Sequence, residues 1–227
     1  MSQKKIQDLM KVSGRYEIEL LPDMESYLKE QLENGTYDLD VNLAILKLYL
    51  LYPDEAKAEV YEGILLKALM AYPATDFALC MYQIPEKHQL QKGLEDAADL
   101  ARFLETCKFK AFWKEAHQQV ENAKEKPDTG LARAKGWETA VRKFVASVVS
   151  STYRSIRCDQ LAELLSLQAA DLAPIIKENG WVKSKDDKDL IIVRENASFE
   201  NTRSEPKERS TMSLEMYKKL FNASSSA

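Results

Sequence analysis

Residues 168 to 193 read QAADLAPIIKENGWVKSKDDKDLIIV, and this stretch decides the fold class of the C-terminal part of the chain. A short segment with apolar residues at helical spacing stops at Asn179-Gly180, and two β-prone runs follow around a charged turn. Glycine after the last periodic residue ends a helix, and β-prone runs joined by a turn predict a hairpin. A helix followed by a hairpin is the way a winged helix ends, so we predict one here.

The predicted winged helix begins about twelve residues earlier in the chain. Ser155 to Arg157 predict a first short strand, and Asp159 is the expected cap of the helix after it. The following helix contains Pro174, which is tolerated in the first turn but removes a hydrogen bond further inside. We therefore favour Asp171 as the N-cap over an earlier start.

Residues 22 to 153 show one helical pattern after another. The segment YDLDVNLAILKLYLLYP (37–53) has two apolar rows at helical spacing, which predicts a helix packed on two sides. The next segment, PDEAKAEVYEGILLKALMAYP (53–73), repeats the spacing, with Asp54 and Glu55 expected in its first turn. Both segments end in Tyr-Pro, which favours a helical-repeat architecture.

The later part of the array predicts a helix pair, a loop and a linking helix. The pair is formed by residues 90–107 and 108–124, and residues 137–153 form a strongly amphipathic helix. Between them, residues 124–136 are polar with Pro127 and two glycines, and we expect an exposed loop. Trypsin should cut such a loop early, after Lys126, Arg133 or Lys135.

These patterns predict a mainly α protein, with a HEAT-like helical-repeat array followed by a C-terminal winged-helix module that contains a small β-sheet. The expected boundaries are 1–153 for the array, 154–194 for the winged helix and 195–227 for a polar tail with one candidate short helix. At 227 residues, with 45% hydrophobic and 30% charged residues, the composition suits a globular protein that buries a real core. The formal net charge of −4 gives no global attraction to phosphate backbones or anionic lipid.

The N-terminal residues and the cysteines predict an intracellular, non-membrane protein. The first residues include Lys4, Lys5 and Lys11 but no apolar core of a signal peptide, and no run approaches 18 apolar residues. The three cysteines are widely spaced and form no CxxC pair, so we expect reduced, mostly buried thiols: Cys80, Cys107 and Cys158.

Residues that carry catalytic or metal chemistry are scarce. His117 and Glu121 stand at i and i+4, a spacing that can bind a metal. We favour a solvated surface pair, because the sequence offers no identifiable third ligand. The sequence has no glycine-rich phosphate loop and no nucleophile motif. We therefore predict no catalytic, cofactor-binding or metal-binding residue.

The charge of the winged helix decides between nucleic acid and protein as its partner. Residues 156–193 have a net charge of −2, since five cations stand against seven anions: Arg157, Lys177, Lys183, Lys185, Lys188, Asp159, Glu163, Asp171, Glu178, Asp186, Asp187 and Asp189. The would-be recognition helix exposes Ala173, Lys177 and Glu178, which make no convincing set of base readers. We therefore predict that the module binds protein.

Four segments resemble a known family, in order and across most of residues 37 to 182: YDLDVNLAILKLY, ILLKALMAYPATDFALC, LARFLETCKFKAFW and VRKFVASVVSSTY. They are similar to the subunit k family of eukaryotic translation initiation factor 3, which consists of PCI-type subunits. The resemblance implies a non-catalytic, cytoplasmic scaffold, with a nuclear presence left open, in a complex that binds the small ribosomal subunit. It implies subunit l as the nearest partner. Architecture alone also fits subunits of the proteasome lid and the signalosome.

The partner contact is expected on the wing strand and the tail. The run Leu190, Ile191, Ile192, Val193 is apolar at every position, and an edge strand with such a run needs cover on both faces. The candidate tail helix has apolar residues at i, i+3, i+6 and i+7: Leu214, Tyr217, Leu220 and Phe221. A partner's winged helix at the edge, a helix across the face, and this chain's own tail folded back are the three alternatives.

We expect the purified protein to retain neither duplex DNA nor duplex RNA at physiological salt. The reason is the net negative charge of the winged helix and the alternation of lysine and aspartate at its wing. Fluorescence anisotropy with labelled duplexes measures this. Micromolar binding that weakens with added salt would contradict the prediction.

Overall fold

The computed structural model describes residues 16–123, 130–184, 187 and 189–193. None of the helices in these ranges is long and apolar enough to cross a membrane. The helices of the array are α1 (Leu21–Asn34), α2 (Leu39–Leu51), α3 (Ala58–Leu69), α4 (Asp76–Gln83), α5 (Glu86–Gln89), α6 (Lys92–Glu105), α7 (Phe109–Asn122) and α8 (Trp137–Thr152).

The start and end of α2 follow from two residues that the sequence places there. Asp38 is the N-cap, and its carboxylate accepts a hydrogen bond from the Val41 N–H at 3.3 Å. Pro53 then begins a separate 3-10 turn, Pro53–Glu55, and α3 starts only at Ala58. The expectation that Asp54 and Glu55 lie in the first turn of α3 is therefore wrong.

The array is built as two layers of helices, which confirms the predicted repeat architecture. Helices α1, α3 and α6 pack side by side in one layer, while α2 and α4 pack against each other in the second. Helix α3 lies at the centre, and every residue from Val60 to Leu69 is buried. Helices α6 and α7 form the predicted pair, joined by three residues.

Buried polar contacts hold α1 and α2 antiparallel. At one end, Gln31 donates to Asn42 Oδ1 at 3.1 Å and accepts from the Asp38 N–H at 2.9 Å. At the other end, Tyr49 Oη donates to Glu25 Oε1 at 2.6 Å, and Lys57 Nζ lies 2.5 Å from Glu25 Oε2. These bonds satisfy polar groups that would otherwise be costly to bury.

The segment that the sequence presents as an exposed loop is in part a core element. Leu131 and Ala134 are buried, and a 3-10 turn covers Gly130–Arg133. Arg133 pairs with Glu62 at 3.4 Å, and the Lys135 N–H donates to the Leu32 carbonyl at 3.0 Å. The prediction of an exposed loop is wrong at Leu131 and Ala134, whereas Ala132, Lys135 and Gly136 are exposed. The contacts of Arg133 and of the Lys135 backbone weaken the reason to expect early cleavage there. Residues 124–129, with Lys126, lie outside the described residues.

The predicted winged helix is present. Its elements in chain order are β1 (Ser155–Arg157), α9 (Cys158–Leu165), α10 (Leu172–Glu178), β2 (Val182–Lys183) and β3 (Leu190–Ile192). Helix α10 begins after Asp171, which places Pro174 in the first turn as predicted, but the Asp171 side chain makes no capping hydrogen bond. The prediction that Asp159 caps α9 is wrong, because Arg157 occupies the N-cap position and Asp159 lies in the first turn. Gly180 ends the turn after α10 with a φ of 69°, a conformation that glycine adopts without strain.

The three strands form one antiparallel sheet in the order β1-β3-β2. The last strand in the sequence therefore lies in the middle. One continuous hydrophobic core reaches from Leu21 in α1 to Ile191 in β3. This core includes side chains from both sides of the predicted boundary between residues 153 and 154. The division into two domains therefore stays a prediction.

The cysteines differ in their exposure. Cys80 is buried, and burial raises the pKa of its thiol to about 12, whereas Cys158 is half-buried. Cys107 is exposed, with a φ of 55°, in the connection between α6 and α7. The expectation of a mostly buried set is therefore wrong at Cys107.

Lys67 is a buried cation inside α3. Its side chain is 1% exposed, and no described group bonds to its ammonium. Burial lowers its pKa from 10.5 to about 8, because the charged form is poorly solvated there. The unfolded chain therefore binds more protons than the folded chain between these two values, so the free energy of unfolding rises with pH through that window.

We expect Lys67→Met to stabilise the protein at pH 7 by about 3 kcal/mol, because methionine fills the same space without a charge. The increase in stability between about pH 8 and 10 should disappear in the variant. Urea unfolding followed by circular dichroism across this pH range measures both effects. Lys47→Met, at an exposed position of α2, is the matched control. Equal stability of Lys67→Met and the native chain would contradict the prediction.

The sheet gives a second stability test. Ile191 is fully buried, whereas Val182 on the neighbouring strand is 60% exposed. Ile191→Ala should lower the free energy of unfolding by about 2 to 5 kcal/mol, and Val182→Ala should change it by less than about 0.5 kcal/mol. Urea unfolding measures the difference. Similar costs for the two variants would show that the faces of the sheet are assigned wrongly.

Candidate protein-interaction site

The two faces of the winged-helix sheet differ in burial. On the inner face, Ile156 of β1 pairs with Ile191 of β3, and both are buried in the core. On the outer face, Ser155, Ile192 and Val182 stand in line across the three strands, and Leu190 follows on β3. Leu190 and Ile192 are half-buried, and Val182 is 60% exposed. We call Val182, Leu190 and Ile192 the outer strip.

The structure separates the residues that the sequence predicts as one interface. Leu190 and Ile192 belong to the outer strip, Ile191 points into the core, and Val193 is half-buried. The expectation that this run forms a sheet edge is wrong, because β1 and β2 cover both edges of β3. The predicted tail residues lie outside the described residues: Leu214, Tyr217, Leu220 and Phe221.

The true edges of the sheet are β1 and β2. The Cys158 N–H donates to the Asp189 carbonyl and the Val193 N–H donates to the Arg154 carbonyl, each at 2.8 Å. Since alternate residues of an edge strand direct their backbone groups outward, the backbone groups of Ser155 point away from β3. On the other side, the Ser184 N–H donates to the Leu190 carbonyl, so Lys183 is the outward residue of β2.

Two side chains of the array bind the last turn of α9. Trp113 Nε1 on α7 donates to the Leu164 carbonyl at 2.9 Å, and Arg142 Nε on α8 donates to the Leu165 carbonyl at 3.1 Å. The final carbonyls of a helix have no partner within the helix, so these bonds cap α9. The Arg142 guanidinium also lies 5.2 Å from the centroid of the Trp113 ring, a cation–π distance.

Two further contacts join the module to the array, one beside the sheet and one at α9. Trp181 is buried, and its Nε1 donates to Ser150 Oγ on α8 at 3.2 Å. Its backbone N–H donates to the Ile176 carbonyl at 2.9 Å, which joins β2 to the end of α10. Lys110 on α7 forms an ion pair with Glu163 on α9. The array thus sets the direction in which the outer strip faces.

Helix α10 shows the exposure pattern that the sequence predicts. Leu172 and Ile176 are buried, while Ala173, Lys177 and Glu178 are exposed. One cation and one anion on the exposed face leave it without the positive charge that a nucleic-acid groove requires.

The remaining chemical candidate, His117, has an aromatic environment. Its ring stacks on Trp113, with ring centroids 5.8 Å apart, and Trp137 lies 6.2 Å away. Within the described part of the chain, no group of three or more His, Cys, Asp or Glu side chains is placed to hold a metal ion. The sequence reasoning did not find the roles of Trp113 and Arg142, because both depend on contacts between distant segments.

Comparison with known proteins identifies relatives. The model of the CSN8/PSMD8/EIF3K family matches residues 55–201 of this chain. The human protein named eukaryotic translation initiation factor 3 subunit K is 37% identical over 174 residues, which is 76% of this chain and 76% of the relative. Proteins of the same name are 35% identical in Drosophila persimilis, over 83% of this chain and 81% of the relative, and in Xenopus tropicalis, over 82% and 83%. The chain therefore belongs to the CSN8/PSMD8/EIF3K family.

Proposed function

We propose that this protein is a non-catalytic scaffold subunit of translation initiation factor 3 in the cytoplasm. Its relatives are named as subunit K of that factor, and the match covers more than three quarters of this chain in each relative cited above. In this role it supports engagement of the small ribosomal subunit through contacts with other subunits. It makes no direct sequence-specific contact with nucleic acid.

The observation that carries the proposal is the outer strip on a firmly held sheet. Val182, Leu190 and Ile192 present apolar surface beside two sheet edges, which is the combination that a partner's strand or helix uses. The caps from Trp113 and Arg142 hold the module in place before binding. A preorganised surface loses less conformational entropy on association.

The partner that we assign to the outer strip is subunit l of the same factor. In this proposal a strand of subunit l adds to the sheet edge at Ser155 or at Lys183, or a helix of subunit l lies across the outer strip. The tail residues Leu214, Tyr217, Leu220 and Phe221 belong to this contact in the proposal, either against the partner or against the sheet. Truncation after Asn196 distinguishes these two roles of the tail. Lost capture of subunit l with intact folding would place the tail against the partner.

A subunit of the signalosome or of the proteasome lid is the second candidate. The family model spans subunits of these kinds under one description, CSN8/PSMD8/EIF3K. The cited relatives favour the initiation factor, because they are all named as its subunit K. The identity of the captured partners distinguishes the two assemblies.

We expect the double variant Val182→Lys, Ile192→Lys to lose at least tenfold in capture of subunit l, because two charges would be buried in an apolar contact. Affinity purification from native extract with quantitative mass spectrometry measures this, and circular dichroism verifies folding. Leu90→Lys is the matched control, since Leu90 is an apolar side chain that is 76% exposed on the array.

Three outcomes would count against the proposal. Normal capture by the double variant would place the interface elsewhere, with the helical array as the next surface to test. Equal loss in the Leu90→Lys control would show that the effect is not specific to the sheet. Recovery of proteasome-lid or signalosome subunits with the native chain, in place of initiation-factor subunits, would assign the protein to the other assembly.

A further inference from the structure

A second exposed apolar surface lies on the array, where α2 ends. The last two residues of α2 and its C-cap are three consecutive exposed apolar side chains, Leu50 (41% exposed), Leu51 (52%) and Tyr52 (41%), which we call the end patch. Adjacent exposed apolar side chains make the end of α2 a candidate contact site. Neither the outer strip nor the proposed function makes use of the end patch.

The surroundings of the end patch are acidic. Asp54 and Glu55 follow directly in the 3-10 turn, and Glu59 lies in the first turn of α3, all three exposed. Two cations lie nearby: Lys57 pairs with Glu25 of α1, and Lys47 is exposed one helical turn before Leu51. The three acids outnumber the one cation that remains after this pairing. The end patch is therefore apolar with a negative rim.

The described part of the chain begins next to this surface. Glu25 bonds to Tyr49 while Gln31 bonds to Asn42, so the antiparallel register places the start of α1 level with the end of α2. The 3-10 turn Ile18–Leu20 leads into α1, and Tyr16 before it is 59% exposed. Residues 1–15 are therefore joined to the array at the same end as the end patch.

The sequence of residues 1–15, MSQKKIQDLMKVSGR, has the complementary chemistry. Its cationic side chains are Lys4, Lys5, Lys11 and Arg15, against the single acid Asp8. Ile6, Leu9 and Met10 stand at i, i+3 and i+4, which places them on one face of a helix. The composition of this segment is therefore complementary to an apolar surface with an acidic rim.

We propose that residues 1–15 dock on the end patch as a basic amphipathic segment of the same chain. An extended residue spans about 3.3 Å, so even a few residues reach Leu51 from the start of α1. Covalent attachment also gives the segment an effective concentration of roughly millimolar at this surface, above that of a free partner. A second copy of the chain is a weaker occupant, because two acidic rims would face each other.

Hydrogen exchange by mass spectrometry on the full chain tests the proposal at the amides of Leu50 to Tyr52. The double variant Ile6→Asp, Leu9→Asp removes the apolar face of the segment and adds negative charge beside the acidic rim. We expect exchange at these amides to become at least fivefold faster, and a similar acceleration with Leu51→Asp. Combining all three substitutions should add little, because either change alone already releases the segment.

Charge gives an independent measurement. Lys4→Glu with Lys5→Glu should also accelerate exchange at the end patch, and 0.5 M NaCl should do so in the native chain but not in this variant. Leu79→Asp, at an exposed apolar position of α4 that is 45% exposed, is the control and should leave the amides of Leu50 to Tyr52 unchanged.

Several results would overturn the proposal. Fully additive effects of the segment and patch variants would show that the two do not contact each other. Protection of the end patch that depends on protein concentration would make a second copy the occupant. Protection that arises only after purified partner subunits are added would make the end patch an intermolecular interface. Capture of subunit l by the outer strip is measured separately, so failure here leaves the proposed function standing.

Discussion

The capping of α9 by Trp113 and Arg142 is the contact on which the arrangement of the molecule depends. Carbonyls at the end of a helix must find donors, and here both donors come from the helical array. The winged helix is consequently held through directional bonds as well as through apolar packing. Loss of either donor would leave a carbonyl without its partner at the junction, at a cost of about 1 to 3 kcal/mol.

The two layers of the array give this junction its rigidity. Helix α3 is buried along almost its whole length, so the helices on each side of it cannot shift without opening the core. Helices α7 and α8 carry the capping side chains and belong to the same continuous core. A scaffold subunit benefits from such construction, since a fixed surface keeps its direction when partners bind.

Much of this architecture could be predicted from local sequence signals. Helical spacing predicts the helices, and Asp171 and Gly180 mark the start and end of α10, because helix boundaries and left-handed turns are local properties. The position of β3 could not be predicted, because strand order depends on pairing with β1, more than thirty residues earlier in the chain. Leu131 and Ala134 were missed because two apolar side chains in a polar segment give no periodic signal. Of the predicted site, Leu190 and Ile192 face outward, whereas Ile191 belongs to the core.

The central place of β3 also has a consequence during protein synthesis. Strands β1 and β2 do not pair with each other, and both depend on β3, which leaves the ribosome after them. The helical array can therefore acquire its core while the chain is still growing, but the sheet cannot form until residue 193 has emerged. The outer strip therefore takes shape only after the helical array and both edge strands have been synthesised.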